Sequence, residues 1–456
     1  MMRFDFQGKR TLVVGMARSG VAVAQLLLRG GAKVVINDSK TEEELGDALA
    51  PLAGLPVERL LGRPAAECLA GIDALVISPG ISVDAPFVQK AREQGAYVTG
   101  ELEVAWQLSR GEMVAVTGTN GKTTTVSLLG EIFKNAGRVT HVVGNIGYPY
   151  SQAGLESRDE DVFVCEVSSF QMETADTFHP RVAALLNITE DHLNRHGTME
   201  TYTRMKMRMF QKQTAEDVAV FNDDDPALEP LIPQVKSRVM RFSRKHEVSC
   251  GAYVADGWMM VRWDGRESRV CETAEIRIPG PHNLENALAA CCVAVAMGVP
   301  TAVVRHSLRT FPGVEHRIEF VRELDGVRYI NDSKGTNVDS TIKAVQTMTR
   351  PTAIILGGYD KHCDFTPLAK EMLASPMIRQ AVLIGVTADQ IARTLAENGF
   401  EGVSRAETLK EAIDRCRALA SSGWNVLLSP ACASFDMFSD YEARGRIFKE
   451  LVNDLR

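Results

Sequence analysis

The segment around residues 113–133 constrains this chain most. An apolar run, Met113-Val114-Ala115-Val116, leads into Gly118-Thr119-Asn120-Gly121-Lys122-Thr123-Thr124, then into Val126, Leu128, Leu129, Ile132 and Phe133 at helical spacing. Strand, glycine loop and helix in direct succession is the unit from which parallel sheets are wound. The same order of elements holds a nucleotide triphosphate. Glycines let backbone N–H groups close around phosphate oxygens, and the helix N-terminus adds partial positive charge. The lysine reaches the terminal phosphates, and the hydroxyl after it can bind Mg²⁺. The run departs from the full eight-residue pattern at one place, because Val116 stands where its first glycine would be. A helix-capping turn with a surface lysine would use the same residues.

That grammar recurs along the 456 residues, a length that suits two to four domains. A first segment, 1–100, runs from strand Thr11-Leu-Val-Val14 through Gly15-Met-Ala-Arg-Ser-Gly20 into a helix over 21–29. Further strands end at Asn37-Asp38-Ser39 and Ser78-Pro79-Gly80. A central segment, 101–313, holds the phosphate loop, strands at 161–165 and 182–186, and Asp-Gly pairs at 256–257 and 264–265 that mark small hairpins. A third segment, 314–456, follows a linker at Phe311-Pro312-Gly313. Its strands, near 327–330, 352–356, 381–384 and 425–428, end in polar clusters. The expected fold is α/β in three domains: N-terminal Rossmann-like, central P-loop ATPase-like with small β-hairpins, and C-terminal Rossmann-like.

Composition narrows the function. A net charge of −7 with 24% charged residues leaves no basic stripe for nucleic acid. No stretch approaches a membrane span of about 20 apolar residues, and the N-terminus lacks a signal core. The nine cysteines form no C-x-x-C pair, which fits reduced thiols in a cytoplasmic protein.

The first glycine run is not an intact dinucleotide fingerprint, since Ala17 replaces the glycine that admits a pyrophosphate. A different nucleotide-like group, met by Arg18, Ser19, Asp38 and Ser39, suits it better than NAD. Glu166 ends an apolar strand, where P-loop enzymes place a carboxylate for Mg²⁺; a capping or solvent carboxylate is the alternative. His192 and His196 are four apart, but Leu193 stands where a zinc protease needs glutamate. One histidine could serve a magnesium-type site or contact phosphate. Tyr202 and Lys206 share a helix face, and Met205, Met207 and Met209 give the lysine apolar neighbours. Desolvation would depress its pKa and leave an amine reactive toward CO₂. Asn283 and Asn286 open a helix after Pro279-Gly280-Pro281, with Asn283 as its cap.

Taken together, Gly118–Thr124, Glu166-Val-Ser-Ser169, Asp191-His192, Tyr202-x-x-x-Lys206, His282-Asn283-x-x-Asn286, Glu315-His316-Arg317 and Asn331-Asp332-Ser333-Lys334 resemble the signature series of the Mur ligases. These are ATP-dependent amide-forming enzymes of peptidoglycan precursor assembly. Within the family, residues 329–337, the Gly-Gly-x-x-Lys361 loop and 428–434 look most like the members that add D-glutamate to UDP-N-acetylmuramoyl-L-alanine. The resemblance implies transfer of the ATP γ-phosphoryl to the substrate carboxylate, then attack of the amino acid on the acyl phosphate. It implies that Lys122 bridges the phosphates, with Gly118, Thr119, Asn120, Gly121, Thr123 and Thr124 around them. Thr123 and Glu166 would hold one Mg²⁺, and His192 and carbamylated Lys206 a second. Asn283, Asn286, Arg317 and Asp332 would hold the nucleotide. Thr336, Lys361, Ser434 and Tyr441 match D-glutamate positions, although the Tyr441 position is commonly Phe. Ser19, Asp38, Ser39 and Gly80 match the grip on the uridine diphosphate, and Asn145 another contact to that substrate. Domain closure and a cytoplasmic monomer are expected. The alternatives are a sibling Mur ligase using another amino acid, and a folylpolyglutamate synthase-like ligase.

Overall fold

The computed structural model describes residues 4–359 and 363–456, the side chain of Asn194 aside. They form two compact units: the chain up to Arg277 with Asn283–Phe311, and Ile278–His282 with Pro312–Arg456.

The first unit carries two sheets. Strands β1 (Arg10–Val14), β2 (Lys33–Asp38), β3 (Glu58–Leu61), β4 (Ala74–Ile77) and β5 (Tyr97–Gly100) pair in parallel in the order β3-β2-β1-β4-β5. Leu12–Val14 of β1 and the whole of β4 are apolar and buried, as befits strands of a parallel sheet covered on both faces. Strand order reverses between β1 and β4, so the loops after them open a crevice at the carboxyl edge. Gly20 lets the helix Arg18–Arg29 approach that edge, since a Cβ there would lie 1.8 Å from the Gly15 carbonyl oxygen.

The second sheet has nine strands: β6 (Glu112–Thr117), β7 (Thr140–Gly144), β8 (Val162–Glu166), β9 (Val182–Leu185), β10 (Val218–Asn222), β11 (Arg238–Ser243), β12 (Gly251–Ala255), β13 (Trp258–Trp263) and β14 (Arg266–Glu272). Their order is β14-β13-β12-β11-β10-β9-β6-β8-β7. All pairs are parallel except β12 with β13 and β13 with β14. Those hairpins turn at Asp256-Gly257 and Asp264-Gly265, all at positive φ, as type I′ turns require. The two sheets share a core: Leu26 of the first helix lies in one cluster with Leu102, Ala105, Tyr150 and Phe163.

The second unit has β15 (Glu319–Leu324), β16 (Val327–Asn331), β17 (Thr352–Leu356), β18 (Ile378–Leu383), β19 (Val403–Arg405) and β20 (Asn425–Leu428), ordered β15-β16-β20-β17-β18-β19. Only β15 is antiparallel, turned by Asp325-Gly326, also at positive φ. β20 returns between β16 and β17, so the loops after these three strands share one edge. Among the described residues no helix is long and apolar enough to cross a membrane, and all nine cysteines are free.

Candidate active site

The glycine loop joins β6 to the helix Lys122–Asn135, capped by Gly121 in the left-handed region. A Cβ on Gly121 would lie 2.3 Å from the Asn286 side-chain oxygen, so only glycine passes here. Lys122 curls back and donates from Nζ to the carbonyls of Gly118, at 2.8 Å, and Thr119, at 2.7 Å. Lys206 donates to the same Gly118 carbonyl at 2.8 Å. It reaches there from the helix Met199–Met207, buried to 2% exposure, with Nζ 4.5 Å from the Tyr202 ring centre. Burial, reinforced by the charge of Lys122, holds its amine well below the usual lysine pKa; Asp191 and Glu166 oppose this more weakly.

Beside these two lysines lies a set of hard oxygen donors. Thr123 donates from Oγ1 to Glu166 Oε2 at 2.8 Å, and Asn145 donates to Glu166 Oε1 at 2.9 Å. A hydroxyl and a carboxylate at the mouth of a glycine cradle suit Mg²⁺, which prefers few protein oxygens and keeps the rest for water and phosphate. Asn145 therefore stands at the metal-type carboxylate. Asn286 accepts from Thr125 at 3.3 Å and donates to Asn283 at 3.2 Å, which puts both asparagines next to the loop. The helix begins at Pro281, so Asn283 lies inside its first turn and is not the cap. Proline is at home at a first helical position, where its missing N–H costs nothing.

His192 caps the short helix Leu193–His196 at φ 54°, with Nε2 3.5 Å from Asp191 Oδ2. His196 turns elsewhere, to Ser169 Oγ at 2.9 Å. The four-residue spacing thus sends the two imidazoles to different partners.

Sequence reading missed Asn187, which follows β9. Its side chain accepts from the backbone N–H of Asn120 at 2.9 Å and donates to the Asn120 carbonyl at 3.1 Å. Thr119 Oγ1 accepts from the Thr189 N–H at 3.0 Å and contacts Tyr202 Oη at 3.2 Å. These bonds hold the phosphate loop open from its flank. Asparagine after an apolar strand was the only sequence signal.

On the first sheet, Ser19, Asp38, Ser39 and Gly80 all fall at the carboxyl edge. Asp38 braces the crevice: its carboxylate accepts from the N–H groups of Met16, at 2.7 Å, and Lys40, at 3.0 Å. Ser78, also missed, donates to the Val14 carbonyl at 3.1 Å across the switch point.

In the second unit, Asp332 is fully buried after β16. It accepts from Ser429 Oγ at 2.7 Å and the Ile318 N–H at 3.2 Å, with Arg317 Nη1 at 3.7 Å. Burial raises its carboxyl pKa against the opposing pull of Arg317. Thr336 and Ser434 lie on the loops after β16 and β20, and Tyr441 starts the helix Tyr441–Asn453. Lys334 Nζ donates to Tyr441 Oη at 3.3 Å, a partner that the tyrosine hydroxyl supplies. Arg444, unnoticed in the sequence, is 1% exposed and ties those two loops together. It donates to Ser333 Oγ at 2.9 Å and to the Cys432 carbonyl at 3.2 Å. Burial pulls its pKa down to about 10. Lys361 lies outside the described residues. Asn283 and Asn286 belong to the first unit, Arg317 and Asp332 to the second.

Comparison with known proteins meets this geometry. Residues 9–100 match the Mur ligase MurD-like N-terminal domain, 116–294 the Mur ligase middle domain, and 316–432 the Mur ligase glutamate ligase domain. The UDP-N-acetylmuramoylalanine–D-glutamate ligase of Caldanaerobacter subterraneus subsp. tengcongensis is 46% identical over 99% of this chain and 100% of its own length. That of Alkaliphilus metalliredigens is 44% identical over 99% of each. The UDP-N-acetylmuramate–alanine ligase structure from Thermotoga maritima, 20% identical, shares the fold over 98% of this chain and 99% of its own, with a TM-score of 0.61. The chain belongs to the Mur ligase family.

Proposed function

We propose that this protein joins D-glutamate to UDP-N-acetylmuramoyl-L-alanine at the expense of ATP, in peptidoglycan precursor synthesis. The observation that carries this reading is the convergence of Lys122 and Lys206 on the Gly118 carbonyl, beside the Thr123–Glu166 pair. The first step brings two anions together, the γ-phosphoryl of ATP and the substrate carboxylate. Its barrier falls only where fixed positive charge awaits them. Lys122 supplies that charge at the phosphate loop. Thr123 and Glu166 would hold Mg²⁺, which when bound spreads the charge of the phosphate oxygens. His192 and Lys206 are the proposed holders of a second ion. Lys206 takes that part as a carbamate: its neutral amine adds CO₂ through nitrogen and releases a proton, turning a cation into a carboxylate-like ligand.

The carboxylate oxygen attacks the γ-phosphorus and ADP leaves. The amine of D-glutamate then attacks the acyl carbon, phosphate departs and the nitrogen loses a proton. Asn283, Asn286, Arg317 and Asp332 are assigned to the nucleotide; Thr336, Lys361, Ser434 and Tyr441 to D-glutamate. Ser19, Asp38, Ser39, Gly80 and Asn145 are assigned to the sugar nucleotide. The names and full-length coverage of the relatives support the choice of amino acid. The test offers UDP-N-acetylmuramoyl-L-alanine, ATP, Mg²⁺ and a panel of D- and L-amino acids, with product measured directly. D-Glutamate alone should give efficient ligation; preference for another amino acid would reassign the chain to a sibling activity.

A further inference from the structure

Each of the two candidate metal ligands is followed by a short helix, Ser169–Met172 after Glu166 and Leu193–His196 directly after His192. They are fastened by Glu173 and Arg195. Arg195 donates from Nε to Glu173 Oε1 at 3.1 Å and from Nη2 to Oε2 at 2.6 Å, a fork-to-fork pair. The guanidinium also lies 5.3 Å from the centre of the Phe170 ring, which packs against His192 at 4.8 Å and His196 at 5.4 Å. Both charged side chains are mostly withdrawn from water, at 18% and 8% exposure, so this is not a screened surface pair.

The remaining donors of Arg195 leave this sheet altogether. Nη2 reaches the Ile81 carbonyl at 2.8 Å and Nη1 the Gly80 carbonyl at 3.4 Å. Those carbonyls belong to the loop after β4, on the five-stranded sheet. The loop starts at Ser78, anchored to β1 through Val14, and turns back with the Ile81 N–H on the Ser78 carbonyl at 2.9 Å. Its far side is held by Arg195. One planar group therefore joins the loop at the switch point of the first sheet to the element that carries His192.

We infer that Arg195 is a positioning residue: with Glu173 it sets the span between the uridine diphosphate end of the substrate and the phosphate loop. This rests on the proposed function, which places one substrate across both sheets. Gripping the nucleotide at Gly80 then delivers the distant carboxylate to the γ-phosphoryl only if the two sites keep a fixed separation. An error of about 1 Å in such a placement costs about 100-fold in rate. Lysine is no substitute, because a point charge cannot hold a carboxylate in a fork and two carbonyls at once.

The test compares two acceptors, UDP-N-acetylmuramoyl-L-alanine and its fragment 1-phospho-N-acetylmuramoyl-L-alanine, which lacks the uridine end. Each is ligated by wild type, Arg195→Ala, Arg195→Lys and Glu173→Gln, with thermal unfolding followed in parallel. Wild type should favour the full substrate strongly in kcat. In all three variants that advantage should shrink by about 10- to 100-fold, with turnover of the fragment and KM for ATP nearly unchanged. Equal losses on both acceptors would mean that Arg195 only supports the fold, and an intact advantage would mean that it does not set the span. If Arg195→Ala fails to fold, Glu173→Gln carries the same comparison, since it keeps the shape and loses the charge. Wild type that ligates neither acceptor to D-glutamate would overturn the proposed function itself, a separate outcome.

Discussion

Lys206 sits in surroundings far from a lysine's ordinary habitat, at 2% exposure. Burial beside Lys122 favours the neutral amine, so its folded pKa lies below its unfolded one. The unfolded chain then binds the extra proton, and stability is lost as pH falls below the ordinary lysine range and regained as pH rises toward it. Lys206→Met should therefore raise the melting temperature at neutral pH and flatten that pH dependence while lowering turnover by at least about 100-fold. Lys206→Ala should be partly restored by short carboxylic acids, which can stand in for a carbamate; normal activity without them would remove the carbamate from the mechanism. Arg317→Ala should raise KM for ATP more than KM for D-glutamate, and the reverse order would mean that Arg317 serves the amino acid. The shared face of Tyr202 and Lys206 was readable from their spacing. The carbonyl that Lys206 reaches was not, because Gly118 lies 88 residues away in sequence.

Turns and loops show the same division between near and far. The Asp-Gly pairs at 256–257 and 264–265 announced their hairpins because type I′ geometry needs residues that tolerate positive φ. The pair at 325–326 carries the same signal, yet its hairpin adds an antiparallel edge to a sheet read as βα throughout. Gly20 was visible only as the end of a broken fingerprint. In the fold it is a contact point, and Gly20→Ala would push a methyl into the Gly15 carbonyl. That substitution should cost about 1–3 kcal/mol, the usual range for overpacking, measurable by urea unfolding. An unchanged midpoint would show that the helix Arg18–Arg29 can move aside. The cap assigned to Asn283 failed for a local reason: Pro281 had already started the helix.

Across the protein, what was legible is what is contiguous. The phosphate loop, Glu166 and the polar strand ends each sit where a β-α turn must present them, so motif order alone recovered three α/β sheets and the family. The braces were silent, because each is a side chain whose partner comes from a distant segment. Asn187 holds the phosphate loop, Arg444 ties the loops after β16 and β20, and Arg195 reaches from one sheet to another. Glu103, fully buried, accepts from the N–H groups of Asp176, Thr177 and Phe178. Nothing in its own helix, Glu101–Leu108, would single it out from a solvated carboxylate. A ligase assembled this way should not release phosphate until every substrate is seated. Phosphate release by the wild-type protein, followed with ATP and Mg²⁺ alone, then with either substrate, then with both, measures this directly. Release should require UDP-N-acetylmuramoyl-L-alanine and D-glutamate together, with one phosphate per amide formed; sustained turnover without the amino acid would contradict the ligase reading.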